Sequence, residues 1–261
     1  MTPIWLIGCG NMGGAMLRRW LDDGMPPERV TVITRSGTGI PDGVRHSASL
    51  PADDPGIVVL AVKPQQLDTI APAFADRRVP LLVSILAGVD CATISSRIPA
   101  EAVVRAMPNL PVAIGKGVTA LFTPTPDPAV HAAATALAAP LGSVEWVENE
   151  AQFDAVTALA GCGPGFVFRY ADALAQAGIA LGLAPEQARR LALATLDGSA
   201  SMAAAADESP ATLADRVASP GGSTREGLNV LDRDNALVGL MTATLAASAR
   251  RNAEMAAEAR R

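Results

Sequence analysis

The chain has 261 residues, 49% of them apolar, and a formal net charge of −5 with no basic run. That length suits two domains with ample material for a core, and the acidic balance argues against nucleic acid or an anionic membrane surface as partner. The longest apolar run, residues 79 to 89, contains Pro80, Ser84 and Gly88 and is too short to span a bilayer. No cationic stretch precedes the first apolar run, so a signal peptide is not expected. The three cysteines, Cys9, Cys91 and Cys162, are widely spaced and show no zinc-ligand pattern, which fits a reducing cytoplasm. Proton donors are scarce: the lysines are Lys63 and Lys116, the histidines His46 and His131, and the tyrosine Tyr170.

Residues Ile4 to Ile7 form a short apolar run that enters Gly8-Cys9-Gly10-Asn11-Met12-Gly13. A buried parallel strand reads this way, and the glycines fit the G-x-G-x-x-G spacing of a dinucleotide-binding turn. The first glycine allows the tight turn, the second lets backbone approach a pyrophosphate, and the third lets the following helix pack closely. Ala15, Met16, Leu17, Trp20 and Leu21 give that helix an apolar stripe, and its N-terminus offers free N–H groups to phosphate.

Val30 to Thr34 reads as a second strand. An NAD binder usually places Asp or Glu at the end of this strand for the ribose 2′-hydroxyl. This chain places Thr34-Arg35-Ser36 there, a pair of phosphate partners and no acid, so NADPH is expected in preference to NADH. A solvated loop arginine is the alternative. Residues 37 to 56 read as loops around a short strand at Val44, and Ile57 to Val62 as a buried strand closed by Lys63-Pro64. Lys63 faces the ligand crevice if it stands just beyond a parallel strand; a solvated strand terminus is an equally good reading. Further strands are expected at Leu81–Ile85, ending in Leu86-Ala87-Gly88, at Ala102–Met107 before the rigid turn Pro108-Asn109-Leu110-Pro111, at Val118–Phe122 and at Val144–Val147, with a helix over Ala129–Leu141. The alternation predicts an α/β fold with a doubly wound, Rossmann-like parallel sheet over residues 1–149.

From about Glu150 helical periodicity takes over. Helices are expected over Ala151–Leu159, Phe166–Ala180, Glu186–Ala206, a short one from Ser209-Pro210 through Val217, then Arg225–Leu231 and Asn235–Glu258. Two glycine-rich breaks separate them, Gly161 to Gly165 and Ser219-Pro220-Gly221-Gly222-Ser223-Thr224. Helix stop signals explain such breaks adequately, but the second sets consecutive N–H groups and two hydroxyls at a helix start, a ready carboxylate cradle. The helices are apolar nearly all round, and a half this small cannot bury them internally. An all-α domain over residues 150–261 that also dimerises is therefore expected.

Those residues carry a resemblance. Gly8 to Gly13, Ala61 to Pro64, Ser84 to Gly88, Arg105 to Asn109, Asp154 to Thr157 with Gly161 to Pro164, and Ser219 to Thr224 together resemble the pyrroline-5-carboxylate reductases along nearly the whole chain. The resemblance implies NADPH-dependent reduction of L-1-pyrroline-5-carboxylate to L-proline, the last step of proline biosynthesis. It places cofactor contacts on Gly8, Cys9, Gly10, Asn11, Met12 and Gly13, on Thr34, Arg35 and Ser36, on Ala61, Val62, Lys63 and Pro64, and on Ala87. It places carboxylate binding on Gly222, Ser223 and Thr224, and an acidic position near the substrate on Glu150. It also implies homodimers sharing the helical domain, often assembled into rings of dimers, and no metal. One departure stands out: the family often has Ser-Gly-Ser-Gly-Pro-Ala where this chain has Ala160-Gly161-Cys162-Gly163-Pro164-Gly165, a loss of two hydroxyls, and a thiol is a poorer donor.

The scarcity of proton donors agrees with this chemistry. A ketone needs a proton as hydride arrives, whereas a cyclic imine can arrive protonated and then needs mainly orientation and charge complementarity. Thr224 is the expected hydrogen-bond partner of the substrate, at its nitrogen, with Glu150 the second candidate. The β-hydroxyacid dehydrogenases, the nearest rival family, use a lysine in their helical half, and no lysine follows Lys116. Reduction of another cyclic imino acid and a catalytically silent NADP-binding sensor are the remaining alternatives.

Overall fold

A computed structural model describes residues 2–259. The chain forms two compact units: one runs through Cys162 and includes the chain from Ser248 onward, and the other is Gly163–Ala247.

The first unit is built on an eight-stranded sheet in the order β3-β2-β1-β4-β5-β6-β7-β8. Its strands are β1 (Ile4–Ile7), β2 (Val30–Ile33), β3 (Arg45–Ser47), β4 (Ile57–Leu60), β5 (Val79–Ser84), β6 (Ala100–Pro108), β7 (Gly117–Phe122) and β8 (Gly142–Trp146). The helices here are α1 (Asn11–Asp22), α2 (Leu67–Ile70), α3 (Cys91–Arg97), α4 (Pro128–Ala138) and α5 (Phe153–Val156). β1, β2 and β4 are buried at every position, because helices cover both faces and leave no polar side to the strand.

Alternate residues feed two cores. Ile4 and Leu6 pack with Met16, Leu17 and Trp20 of α1 and Leu137 of α4 on one face. Trp5 and Ile7 pack with Phe74, Ile94 and Ile98 on the other. Burying such side chains stabilises the unit by about 1.5–3 kcal/mol each. The Trp20 indole also donates to the Leu137 carbonyl at 2.7 Å, so the largest buried ring leaves no polar atom unpaired.

The sheet is not wholly parallel, which corrects the sequence expectation. β6 and β7 pair antiparallel, with Ala106 opposite Leu121, while β7 and β8 are parallel again. The cause is connection length. Only a 3-10 turn at Leu110–Ile114 joins β6 to β7, and a parallel return needs a dozen or more residues. α4 supplies such a crossover before β8. The strand read at Val44 begins one residue later, at Arg45.

The second unit is helical: α6 (Gly163–Ala180), α7 (Pro185–Ala204), α8 (Pro210–Arg216), α9 (Ser223–Asp232) and the start of α10 (Ala236–Ala259), whose end belongs to the first unit. Its core is small, with Ala175 of α6 against Ala188 and Ala192 of α7. Val230, Val238 and Leu240 are exposed, at 62%, 66% and 61%. None of the described helices is long and apolar enough to cross a membrane.

A candidate cofactor cleft and a candidate substrate loop

The first unit carries a cleft of about 1140 Å3 at the carboxyl ends of β1, β2, β4, β5 and β6. Gly8, Cys9, Gly10, Asn11, Met12 and Gly13 line it, as do Thr34, Arg35, Ser36, Ala61, Val62, Lys63, Pro64 and Ala87. Every residue that the sequence assigns to a cofactor thus lies on one surface. The structure adds Gln66, Thr69, Met107 and Pro108. Thr69 sits on α2, too short to show a period, and Met107 and Pro108 end the strand before the Pro-Asn turn already marked in the sequence.

The glycines of the turn divide the work physically. Gly8 has φ +92° and a Cβ there would lie 2.7 Å from the Ala61 carbonyl oxygen, so both conformation and space require glycine. A Cβ on Gly13 would lie 2.9 Å from the Ala61 Cβ, so glycine there lets α1 pack directly on the β4 end. A Cβ on Gly10 would meet nothing within 4 Å: that glycine leaves open room beside the N-terminus of α1. Gly10 is also the N-cap, and no side chain caps the helix. Its first N–H groups therefore remain available for an anion. This is the shape and donor set that a dinucleotide pyrophosphate fits.

At the β2 end, the Thr34 N–H donates to the Ser47 carbonyl at 3.1 Å, and the Thr34 carbonyl accepts from His46 Nε2 at 2.8 Å. Arg35 and Ser36 follow, both exposed on the rim. Beyond β4 the Lys63 N–H donates to Gln66 Oε1 at 3.1 Å, which fixes the turn and leaves the exposed Lys63 side chain on the cleft rim.

Glu150 stands elsewhere. It is not among the cleft-lining residues, and its Oε1 accepts from the Cys91 N–H at 2.9 Å and from Arg105 Nη1 at 3.2 Å. The buried Arg105 guanidinium lies 4.3 Å over the Phe153 ring. The carboxylate ties the start of α3, β6 and the start of α5 together. Cys91 is buried against it: burial, then the Glu150 charge and hydrogen bond, push its thiol up to about 12.

The first glycine break also differs from expectation. Thr157–Gly161 is a π turn that leads into α6, so Gly163 begins a helix instead of interrupting one. The Asn109 side chain donates to the Ala160 carbonyl at 3.0 Å, and Ser248 Oγ donates to Cys162 Sγ at 3.2 Å. The thiol thus sits in a hydrogen bond within the first unit.

The second break lies in the helical unit. Gly221 has φ +71°, and the Gly222 N–H donates to the Ser219 carbonyl at 2.9 Å. Gly222 is the N-cap of α9, no side chain caps it, and Ser223 and Thr224 are exposed in the first turn. Two hydroxyls and free helix N–H groups therefore face outward together. No cluster of metal-ligating side chains occurs among the described residues.

Comparison with known proteins settles the family. The chain is 35% identical to a pyrroline-5-carboxylate reductase of Pseudomonas aeruginosa over 98% of its own length and 97% of the relative's. It belongs to the pyrroline-5-carboxylate reductase family. A reductase of this family from Synechocystis is 36% identical over 87% of this chain and 89% of its own. The family model described as pyrroline-5-carboxylate reductase dimerisation matches residues 150–255. One described as NADP oxidoreductase, coenzyme F420-dependent, matches residues 3–88. Among solved structures, a Coxiella burnetii pyrroline-5-carboxylate reductase matches with a TM-score of 0.88 at 31% identity, covering 97% of this chain and 98% of that one. A Plasmodium falciparum pyrroline carboxylate reductase solved with NADP bound matches with a TM-score of 0.82 at 25% identity, covering 98% of each chain.

Proposed function

We propose that this reductase-family chain converts L-1-pyrroline-5-carboxylate to L-proline with NADPH, the final step of proline biosynthesis. The observation that carries the reading is the cleft itself, where the glycine turn, the acid-free Thr34-Arg35-Ser36 segment and the uncapped α1 N-terminus share one surface. The bound nicotinamide supplies a hydride. The chain's own residues supply position and charge. The α1 N-terminus and the Gly8–Gly13 turn hold the pyrophosphate, Arg35 and Ser36 hold the 2′-phosphate, and Ala61 to Pro64 with Ala87 complete the wall; NADH is accepted less well.

At the other reactant, the α9 N–H groups, Gly222 and the Ser223 hydroxyl hold the carboxylate, and the Thr224 hydroxyl hydrogen-bonds the ring nitrogen. The iminium carbon takes the hydride, the C=N π pair becomes the nitrogen lone pair, and the neutral amine takes its next proton from water. No side chain need deliver a proton during the transfer. Glu150, which does not line the cleft, acts as a positioning residue, holding Arg105 and the start of α3.

The exposed apolar side chains of the helical unit and the match to a dimerisation family support a homodimer, assembled further into a ring of dimers. Free Cys9, Cys91 and Cys162 support a cytoplasmic setting.

The test is NADPH oxidation with pyrroline-5-carboxylate, with NADH in parallel. Turnover that favours NADPH is expected. Folded protein that binds NADPH and turns over no cyclic imine would leave the silent sensor, and turnover of a six-membered imine alone would change the substrate. Thr224→Ala should lower kcat/KM for the imine by about 10- to 100-fold, the worth of a hydrogen bond to a charged group, and leave NADPH affinity within twofold. Equal loss of both would remove Thr224 from that role.

A further inference from the structure

Between β2 and β3 the chain makes its crossover without a helix: residues 34 to 44 contain only turns and bends. The segment offered to the 2′-phosphate therefore lacks the packed helix that would normally hold it. The strand beside it, β3, is a three-residue edge strand with little burial. Ile40 and Val44 pack on the core further along the loop, and beside Arg35 and Ser36 one further side chain fastens it.

His46 pairs with Val32 in the sheet, and its ring reaches two residues onward. Nε2 lies 2.8 Å from the Thr34 carbonyl oxygen. A carbonyl only accepts, so Nε2 carries the proton in this bond. The ring also lies close to Gly37, where an added Cβ would be 3.2 Å from Nδ1 and 3.3 Å from Cε1. An alanine there would press on the imidazole edge. The two residues between these contacts are Arg35 and Ser36.

We propose that His46 is a specificity-determining positioning residue: its imidazole brackets Arg35 and Ser36, touching the chain just before and just after them, and sets them at the 2′-phosphate of NADPH. This rests on the reading of Arg35 and Ser36 as the phosphate contacts. NADH carries only the ribose 2′-hydroxyl at that position, with no phosphate for Arg35 and Ser36 to hold, so loosening the segment withdraws less from it. His46 is not among the cleft-lining residues, so its effect belongs to cofactor choice.

The test is calorimetric titration of the intact protein with NADPH and NADH, for wild type, His46→Ala, His46→Gln, Gly37→Ala and Arg35→Ala. His46→Ala should weaken NADPH binding by about three- to tenfold, the worth of one hydrogen bond, and change NADH binding by less than twofold, with kcat at saturating NADPH unchanged. His46→Gln keeps an N–H donor at similar reach and should recover most of the loss. Gly37→Ala, which presses on the ring edge, should weaken NADPH selectively as well. Equal losses for both cofactors, or no loss in His46→Ala and Gly37→Ala, would overturn the proposal while a selective Arg35→Ala leaves the phosphate reading standing. An Arg35→Ala variant that loses no NADPH preference would overturn both.

Discussion

The two units solve burial differently. In the sheet unit, β1, β2 and β4 are buried throughout and two cores fill both faces. In the helical unit three alanines make the core cluster, and Val230, Val238 and Leu240 stay more than half exposed. Apolar surface is worth about 25 cal/mol per Å2 removed from water, so the first unit is stabilised by its own interior and the second leaves much of that stabilisation to another surface. The candidate cofactor cleft is therefore lined within one unit of one chain, whereas the helical unit leaves apolar surface for an assembly to cover.

The largest test of this contrast is to charge exposed apolar positions of the helical unit. Val238→Glu with Leu240→Glu should convert a dimer to a monomer in light scattering and lower Tm by roughly 10 °C, because folding and association are linked there. A control at the sheet unit's exposed ion pair, Glu101→Ala, should leave Tm nearly unchanged, because solvent screens so exposed a pair. A double variant that stays dimeric and equally stable would show that these two positions are not what the helical unit depends on.

Inside the sheet unit, two glycines of one turn separate fold from function. Gly8→Ala forces a Cβ to 2.7 Å from the Ala61 oxygen at a positive φ and should cost about 2–4 kcal/mol, seen as a fall in Tm together with lost NADPH binding. Gly10→Ala meets nothing and should leave Tm within about one degree while weakening NADPH more than tenfold, since the methyl occupies ligand space. Equal destabilisation by both would mean that the turn is only a structural element.

The cleft was readable because its parts are local. A glycine turn directly after a strand, an arginine at a strand end and a Lys-Pro stop are each short words whose geometry follows from the preceding strand. Lining residues such as Thr69 belong to an element too short for periodicity, so nothing local marks them. The antiparallel β7 was missed because strand-like composition carries no direction; the short Asn109–Lys116 connection does. The π turn was missed because Gly161 and Gly163 look like a helix stop, and only Cys162 N–H reaching back to the Thr157 carbonyl at 2.8 Å distinguishes continuation from termination. Glu150 is instructive in another way. Its match to the family's pattern placed it near substrate, while its bonds to Arg105 and the Cys91 N–H give its carboxylate a structural task that sequence could not reveal, because the partners are distant along the chain.

One buried side chain of the sheet unit also implies a small pH effect. Cys91 is 2% exposed, and burial with the adjacent Glu150 charge raises its thiol from 9.0 to about 12. The protonated thiol is the neutral form, so below pH 9 folded and unfolded chains both hold the proton and stability is indifferent to this group. Between pH 9 and 12 the unfolded chain releases the proton and the folded one keeps it. Unfolding then releases protons, and stability falls as pH rises. Up to pH 10 the loss should be roughly 1 kcal/mol, about 2–4 °C in Tm. Cys91→Ala should start lower, through its small cavity, and then decline less steeply from pH 9 to 10. Identical slopes would mean that the pocket around α3 opens enough to hydrate the thiolate, so that the sheet unit is less tightly closed there than its packing shows. A flatter slope in the variant would locate the alkaline weakness of the fold at the same junction of α3, β6 and α5 that Glu150 holds together.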